Sequence, residues 1–242
     1  MRYLIFSDVH GNLEALEALL ARIEREKPDR IFFLGDAVGY GANPSECLHA
    51  IAETADLVLA GNHDYAAAGA TPITFFNPMA KEAILWTQAQ LTPEEKLYLK
   101  SLPVVLHFPK ICLAHSSPFE PAQWHYILSE ADAAENFPCF SAPLCFVGHS
   151  HQAQIMMTDR SGTCRRILDE VIGLEEGHRY IVNVGSAGQP RDYNPMGAYC
   201  LYDENRRQVQ ILRFEYNIQK AQQKIIKAEL PHFLAERLSA GI

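Results

Sequence analysis

The 242-residue sequence predicts an α/β fold built on a parallel sheet. Short apolar runs at residues 3–6, 30–34 and 57–60 have the length and the aromatic and β-branched content of buried strands. Helical patterns at residues 13–27 and 45–53 separate these runs, so strands and helices alternate as they do in parallel sheets. Polar residues follow the end of each run.

The first helix is predicted from apolar residues at helical spacing, with glutamates between them. The preceding Asn12 is a candidate N-cap, and Pro28 ends the helix. The apolar positions are Leu13, Leu16, Leu19, Leu20 and Ile23.

The middle of the chain predicts helical cover followed by two strands. Residues 69–101 are interpreted as helices, with starts near Asn77 and Thr92 because proline follows each of them. Residues 104–107 and 111–114 predict a hairpin. Residues 118–143 contain four prolines and several aromatic residues, and either a lid over a site or a surface insertion explains this composition.

The last third of the chain predicts a second sheet. A strand at 144–147 is followed by β-type patterns over residues 152–214, which we expect to form this sheet together. Closing helices are predicted over residues 217–242. No linker composition interrupts the chain, so we expect a single domain over residues 1–242.

Composition excludes several functional classes. The formal net charge of −8 argues against a broad nucleic-acid-binding surface, which would be basic. No apolar run approaches the length of a membrane span, and too few residues precede Ser7 for a signal peptide. The cysteines lack the spacing of a zinc or disulfide framework, which predicts reduced thiols and a cytoplasmic protein. They are Cys47, Cys112, Cys139, Cys145, Cys164 and Cys200.

Nine polar residues follow predicted strand ends, which is where ligands gather in parallel sheets. They offer oxygen and imidazole donors, which suit manganese, iron, zinc or nickel, and they exceed the needs of one ion. Two divalent ions that share one carboxylate would account for the surplus. The residues are Asp8, His10, Asp36, Asn62, His63, Asp64, His115, His149 and His151.

The order of these motifs (Asp-x-His, Gly-Asp, Gly-Asn-His-Asp, His and Gly-His-x-His) resembles the calcineurin-like metallophosphoesterase superfamily. The resemblance extends from Asp8 to His151. Within the superfamily the chain is similar to the compact bacterial phosphoesterases. The resemblance implies a four-layer αββα sandwich of two mixed sheets flanked by helices. It also implies a dimetal-dependent hydrolase of phosphate esters in which a metal-bridging hydroxide attacks phosphorus in line.

The resemblance also implies a role for each residue. Asp8, His10 and His151 would hold one ion, Asn62, His115 and His149 would hold the other, and Asp36 would bridge both. His63 would lie beside the substrate phosphate together with Asn62, either stabilising charge or protonating the leaving oxygen. Asp64 would orient His63 or cap its loop. Arg191 ends a late Gly-Ser loop and would contact phosphate, unless it is a surface arginine.

One departure narrows the expected substrate. Eukaryotic-type Ser/Thr phosphatases carry an Asp and an Arg after the second motif, where this chain has Gly39 and Tyr40. A small or nucleotide-like phosphodiester is therefore the leading expectation, with no membrane or nucleic-acid partner. Protein phosphatase and dinucleoside-polyphosphate hydrolase are the alternatives. A non-catalytic metal-binding scaffold and a DNA nuclease are the alternatives from other classes.

Overall fold

The computed structural model describes residues 1–242 and contains twelve strands and eight α-helices. The first half comprises β1 (Arg2–Phe6), α1 (Leu13–Glu26), β2 (Arg30–Phe33), α2 (Pro44–Thr54), β3 (Leu57–Val58), α3 (Asn62–Ala67), α4 (Pro78–Gln90), α5 (Pro93–Ser101), β4 (Val105–His107) and β5 (Ile111–Ala114). The second half comprises α6 (Glu130–Asn136), β6 (Leu144–Val147), β7 (Gln154–Thr158), β8 (Cys164–Ile167), β9 (Val171–Gly173), β10 (Arg179–Asn183), β11 (Gly197–Asp203), β12 (Gln208–Phe214), α7 (Ile218–Lys227) and α8 (His232–Ala240).

The strands form two mixed sheets of six strands each. The first sheet has the order β3-β2-β1-β11-β12-β9, in which β1, β2 and β3 are parallel and β11 joins β1 antiparallel. The second has the order β4-β5-β6-β10-β7-β8, in which β5, β6 and β10 are parallel. The predicted parallel pairing at the start of the chain is confirmed.

The expectation that residues 152–214 form one sheet by themselves is wrong. Strands β7, β8 and β10 extend the sheet that contains β5 and β6, whereas β9, β11 and β12 complete the first sheet. The reason lies in the pairing of β1, which has β2 on one side and needs a partner for the backbone groups on the other. Strand β11 supplies this partner, with Leu4 opposite Leu201.

Three apolar clusters show the four layers that the resemblance implied. The central cluster lies between the sheets and includes Ile5 and Phe146. A second cluster packs the outer face of the first sheet against α1 and α2, through residues such as Leu16 and Ile51. A third packs the outer face of the second sheet against α6, with Ala133 among its members. The αββα fold class is therefore confirmed.

Local capping explains where several helices begin. The Asn12 side chain accepts a hydrogen bond from the Ala15 amide at 3.1 Å, which confirms the predicted N-cap of α1. Thr92 and Glu95 form a reciprocal capping box at the start of α5. The same device, built from Ser129 and Asp132, starts α6 inside the segment that the sequence presented as irregular.

The closing helices lie beside Tyr40. Helices α7 and α8 share an apolar cluster with α4 and Tyr40, to which they contribute Ile225 and Leu238. Lys224 on α7 also pairs with the Glu14 carboxylate of α1 at 2.6 Å. No helix in the protein combines the length and the apolar character that crossing a membrane requires.

Candidate metal centre

The structure brings the predicted strand-end ligands together at one edge of the two sheets. Two groups of potential ligands form there, and within each group the ligand atoms lie within 4.8 Å of one another. Asp36, which follows β2, belongs to both groups. The first group is Asp8, His10, Asp36 and His151, and the second is Asp36, His115 and His149.

In the first group, the ligand atoms converge on one point. The Nε2 atom of His10 lies 3.0 Å from Nε2 of His151 and 3.5 Å from Oδ2 of Asp36. The His151 Nε2 atom lies 3.3 Å from Oδ1 of Asp8. These separations suit donor atoms that surround one ion at about 2.0–2.2 Å each.

In the second group, the same Asp36 oxygen faces a different set of histidines. His115 Nε2 lies 3.4 Å from Asp36 Oδ2, and the rings of His115 and His149 have centroids 5.1 Å apart. One carboxylate oxygen therefore faces both groups. This is the position that a bridging ligand would occupy between two ions.

Unpartnered polar atoms provide a test of whether these residues fit metal ions. Buried side-chain oxygens and nitrogens are nearly always hydrogen-bonded, because leaving one without a partner costs about 1–3 kcal/mol. Four buried atoms in this cluster have no hydrogen-bond partner, and each belongs to a residue that the sequence nominated as a ligand. They are Asp8 Oδ1, Asp36 Oδ2, Asn62 Oδ1 and His115 Nε2. The residues present therefore fit two divalent ions.

Backbone carbonyls orient the four histidines. A carbonyl only accepts, so each contacted ring nitrogen carries a proton, and in the neutral ring the opposite nitrogen has the lone pair that a metal would use. The contacts are His10 Nδ1 to Val38 at 3.1 Å, His115 Nδ1 to Leu34 at 2.9 Å, His151 Nδ1 to Gln189 at 2.5 Å and His149 Nε2 to Trp124 at 2.9 Å. Sequence reasoning missed these carbonyls because backbone acceptors leave no compositional signal.

The comparisons with known proteins agree with this geometry. A family model of the calcineurin-like phosphoesterase superfamily domain matches residues 1–207. The chain belongs to this superfamily. An uncharacterized protein of Methanocaldococcus jannaschii is 39% identical over 242 residues, covering 98% of this chain and 97% of that protein.

Two solved structures extend the likeness over the whole chain. A metallophosphoesterase from Sphaerobacter thermophilus is 40% identical with a TM-score of 0.87, and the match covers 100% of this chain and 99% of that one. A hypothetical protein from Pyrococcus horikoshii is 20% identical with a TM-score of 0.81, covering 100% and 98%. The protein is thus a phosphoesterase, of a superfamily that typically binds two divalent metals.

The phosphoesterase holds most of its candidate ligands in a left-handed backbone conformation. Non-glycine residues rarely adopt positive φ, and where they do the surrounding structure must enforce it, commonly at functional sites. Backbone hydrogen bonds enforce it here, including those from the Asp8 amide to Gly35 and from the His10 amide to Asp36, both at 2.9 Å. The φ values are 56° at Asp8, 53° at His10, 60° at Asp36, 64° at His149 and 58° at His151.

Burial and the shared carboxylates shift the pKa values of the histidines in opposite directions. Burial disfavours the charged form of His115, but the Asp36 carboxylate outweighs burial and raises the pKa to about 9. For His149, burial and the neighbouring His115 lower the pKa to about 3. The pKa of Asp36 falls well below its ordinary value, because His115 and His10 outweigh the effect of burial. The bridging position is therefore occupied by a carboxylate at neutral pH.

His63 lies beside the ligands without belonging to either group. Its amide donates to Asp36 Oδ1 at 2.9 Å, and its ring contacts those of Tyr40 and Phe76, with centroids 4.3 and 5.1 Å away. Burial lowers the pKa of His63 to about 4, and its Nδ1 atom has no partner. Gly39 has a φ of 91°, and a Cβ there would lie 2.6 Å from Nδ1, so this position leaves no room for a side chain.

The Asp64 carboxylate contacts backbone amides around the site. Its carboxylate accepts hydrogen bonds from the amides of Asp36 at 2.7 Å, Val38 at 3.1 Å and Gly61 at 3.0 Å, and none from His63. These contacts are those of a cap, the second alternative for Asp64, and the cap begins α3 at Asn62, a helix that the sequence did not predict. Burial and the neighbouring Asp36 raise the pKa of Asp64 to about 7.

We expect Asp64→Asn to destabilise the protein by about 1–3 kcal/mol, because an amide nitrogen would face at least one buried backbone N–H. The measurement is urea unfolding of metal-stripped protein. Asp132→Asn is the matched control, since Asp132 accepts from the amides of Leu128 and Ser129 at an exposed helix start. Equal losses in the two variants would contradict the capping role of Asp64 at the site.

Aromatic residues of the segment 118–143 form a wall over the second ligand group. The Tyr126 ring stacks on His149 with centroids 4.2 Å apart, and the Trp124 ring contacts that of His115 edge-on at 6.0 Å. Trp124 reaches this position with a φ of 59°, directly after the 3₁₀ turn Pro121–Gln123. Two aromatic side chains of this segment therefore lie beside the second ligand group.

Arg191 also lies at the site. Its backbone amide donates to the His151 carbonyl at 3.0 Å, and its guanidinium lies over the Tyr40 ring, 5.6 Å from the centroid. A second arginine, Arg237 of α8, lies over the same ring at 5.9 Å. Sequence reasoning missed Arg237 because it carries no motif and is far from the other site residues in the chain.

Proposed function

We propose that this phosphoesterase hydrolyses phosphodiesters with small or nucleotide-like substituents. One divalent transition-metal ion would be held by Asp8, His10 and His151, and another by Asn62, His115 and His149, with Asp36 shared by both. Manganese, iron, zinc and nickel all suit this donor set. Two such ions, when bound, activate a water for in-line attack and neutralise charge on the phosphate.

His63 would act on the substrate phosphate. Burial keeps its ring neutral, and the N–H of a neutral ring can donate a hydrogen bond to a phosphate oxygen. A bound phosphate would raise the proton affinity of the ring, which would allow His63 to protonate the leaving oxygen. Asn62 precedes it and would face the phosphate together with His63. Asp64 would support both through the loop backbone.

The observation that carries the diester proposal is the aromatic lining of both halves of the site. Tyr40 and Phe76 flank His63, while Trp124 and Tyr126 flank the second ligand group. A diester has an organic group on each side of phosphorus, and rings on each side offer apolar surface to both groups. Because Gly39 and Tyr40 carry no charge, a protein phosphatase is disfavoured.

Two further proposals concern the chain as a whole. We propose a single domain over residues 1–242, since α7 and α8 share an apolar cluster with Tyr40 at the site. We also propose a cytoplasmic protein, since all six cysteines are free thiols, as a reducing compartment requires.

The test compares bis-p-nitrophenyl phosphate with p-nitrophenyl phosphate. Metal-stripped protein should be inactive, and restoring Mn²⁺, Fe²⁺, Ni²⁺ or Zn²⁺ separately should restore hydrolysis, with the diester preferred in kcat/KM. The Asp36→Asn variant, prepared in parallel, measures any contaminating phosphatase. A preference for the monoester would overturn the diester assignment. Two bound metals without turnover of either ester would favour the scaffold alternative.

A further inference from the structure

Two arginines from distant parts of the chain lie together beside the candidate metal centre. Arg191 follows β10 and Arg237 lies in the last turn of α8, and both guanidinium groups lie over the ring of Tyr40. The same ring contacts His10 and His63, with centroids 4.8 and 4.3 Å away. A single aromatic side chain therefore connects the arginine pair to the site of phosphate chemistry.

Neither arginine pairs with an aspartate or a glutamate side chain. Arg191 donates to Gln189 Oε1 at 2.8 Å, and its buried Nε atom has no acceptor. Arg237 donates from Nε, at 2.5 Å, to a main-chain oxygen of Ile242, the last residue of the sequence, and this contact leaves the two terminal nitrogens of its guanidinium group free to donate elsewhere. Half-buried arginines are normally paired, as Arg213 is with a nearby aspartate. Both guanidinium groups therefore have N–H donors without an acceptor in the protein.

The two guanidinium groups also repel each other. Burial lowers the pKa of Arg237 to about 10, and the positive charge of Arg191 is the second cause of this fall. Like charges near one ring repel each other, and an anion that contacts both guanidinium groups would offset this repulsion. The net charge of the chain is −8, so carboxylates outnumber basic side chains, and yet neither of these two arginines pairs with one of their side chains.

We propose that Arg191 and Arg237 form a second anion subsite, which holds a second phosphate group of the substrate while the first is hydrolysed at the metal centre. The guanidinium fork matches phosphate oxygens in geometry and charge, and two forks suit a group with more than one negative charge. The substrate class would then be a phosphodiester or phosphoanhydride with a further phosphate on the Tyr40 side. This inference rests on the proposed function and adds a preference for substrates that carry a second phosphate group.

The test measures binding, so its result can be interpreted even if the protein does not hydrolyse the proposed substrates. Isothermal titration of the metal-restored full-length protein compares methylenediphosphonate with methylphosphonate, and the ratio of the two affinities reports the second anionic group. We expect the wild-type ratio to exceed about tenfold. Arg237→Gln and Arg191→Gln should each lower it about fivefold or more, while Arg237→Lys, which keeps the charge but loses the guanidinium fork, should lower it less. Repeating the titrations on metal-stripped protein separates arginine binding from chelation.

Arg206→Gln is the matched control, because Arg206 is an exposed arginine whose only carboxylate partner is Asp203. Its affinity ratio should equal that of the wild type. An unchanged ratio in both Arg237→Gln and Arg191→Gln would overturn the subsite. A loss in Arg237→Lys as large as in Arg237→Gln would also overturn it, since the arginine would then serve packing. Hydrolysis of bis-p-nitrophenyl phosphate, which has no second phosphate, is measured on the wild-type protein and on Arg206→Gln, and it tests the proposed function separately.

Discussion

The Asp36→Asn variant should lose both metal ions together and about a thousandfold or more of its turnover. Oδ2 of Asp36 lies 3.5 Å from Nε2 of His10 and 3.4 Å from Nε2 of His115, so one substitution removes a charged ligand from both groups. A loss of about 4 kcal/mol of transition-state stabilisation corresponds to that rate effect. Elemental analysis after gel filtration gives the metal content, and hydrolysis of bis-p-nitrophenyl phosphate gives the rate.

Asp56→Asn is the control for this experiment. Asp56 pairs with Arg30 at 2.7 Å near the surface, away from both ligand groups, and exposed pairs of this kind contribute about 0–1 kcal/mol. This variant should keep both metals and wild-type turnover. Loss of a single ion from Asp36→Asn would show that the carboxylate belongs to one site only.

His63→Ala should keep both ions and lose turnover by about 10²–10⁴-fold. The His63 ring belongs to neither ligand group, so its removal leaves the donors of both groups in place. Its amide, which holds Asp36 Oδ1 at 2.9 Å, is also retained in the variant. The measurement combines elemental analysis with kcat and KM for the diester, and the loss is expected in kcat.

His178→Ala provides the comparison, because His178 lies near Glu175 and outside both ligand groups. It should match the wild type in metal content and in kcat. Normal turnover in His63→Ala would rule out its role at the phosphate. Loss of metal from His63→Ala would instead show that the His63 side chain helps to position Asp36.

Much of the candidate site is predictable from sequence because of how parallel strands are arranged. Asp8, Asp36 and Asn62 each follow a strand of one parallel set, and the carboxyl ends of such strands meet at one edge of a sheet. The order of the motifs therefore predicts proximity without any knowledge of loops. The pairing of the later strands was predicted wrongly. Strand β11 pairs with β1, nearly two hundred residues earlier in the chain, and a hydrophobic pattern does not identify a partner at that sequence distance.

The supporting residues were not predictable for a different reason. Asp64 hydrogen-bonds to three backbone amides, and the Trp124 carbonyl accepts from His149, so each depends on the exact path of a loop. Amides and carbonyls occur at nearly every residue, so no residue type marks those that serve a site. The arginine pair depends on the docking of α8 against Tyr40, which apolar packing determines.

By itself, the sequence determined the superfamily and the α/β class, and it nominated the candidate ligands, because strand ends and short motifs are local properties of the chain. The tertiary structure decided which strands complete each sheet, that Asp64 accepts from backbone amides, that Trp124 and Tyr126 lie beside the second ligand group, and that Arg191 and Arg237 lie over the ring of Tyr40. These are long-range outcomes of packing, in which many weak apolar contacts choose one arrangement. The pattern of apolar and polar residues along the sequence does not specify which of these arrangements forms.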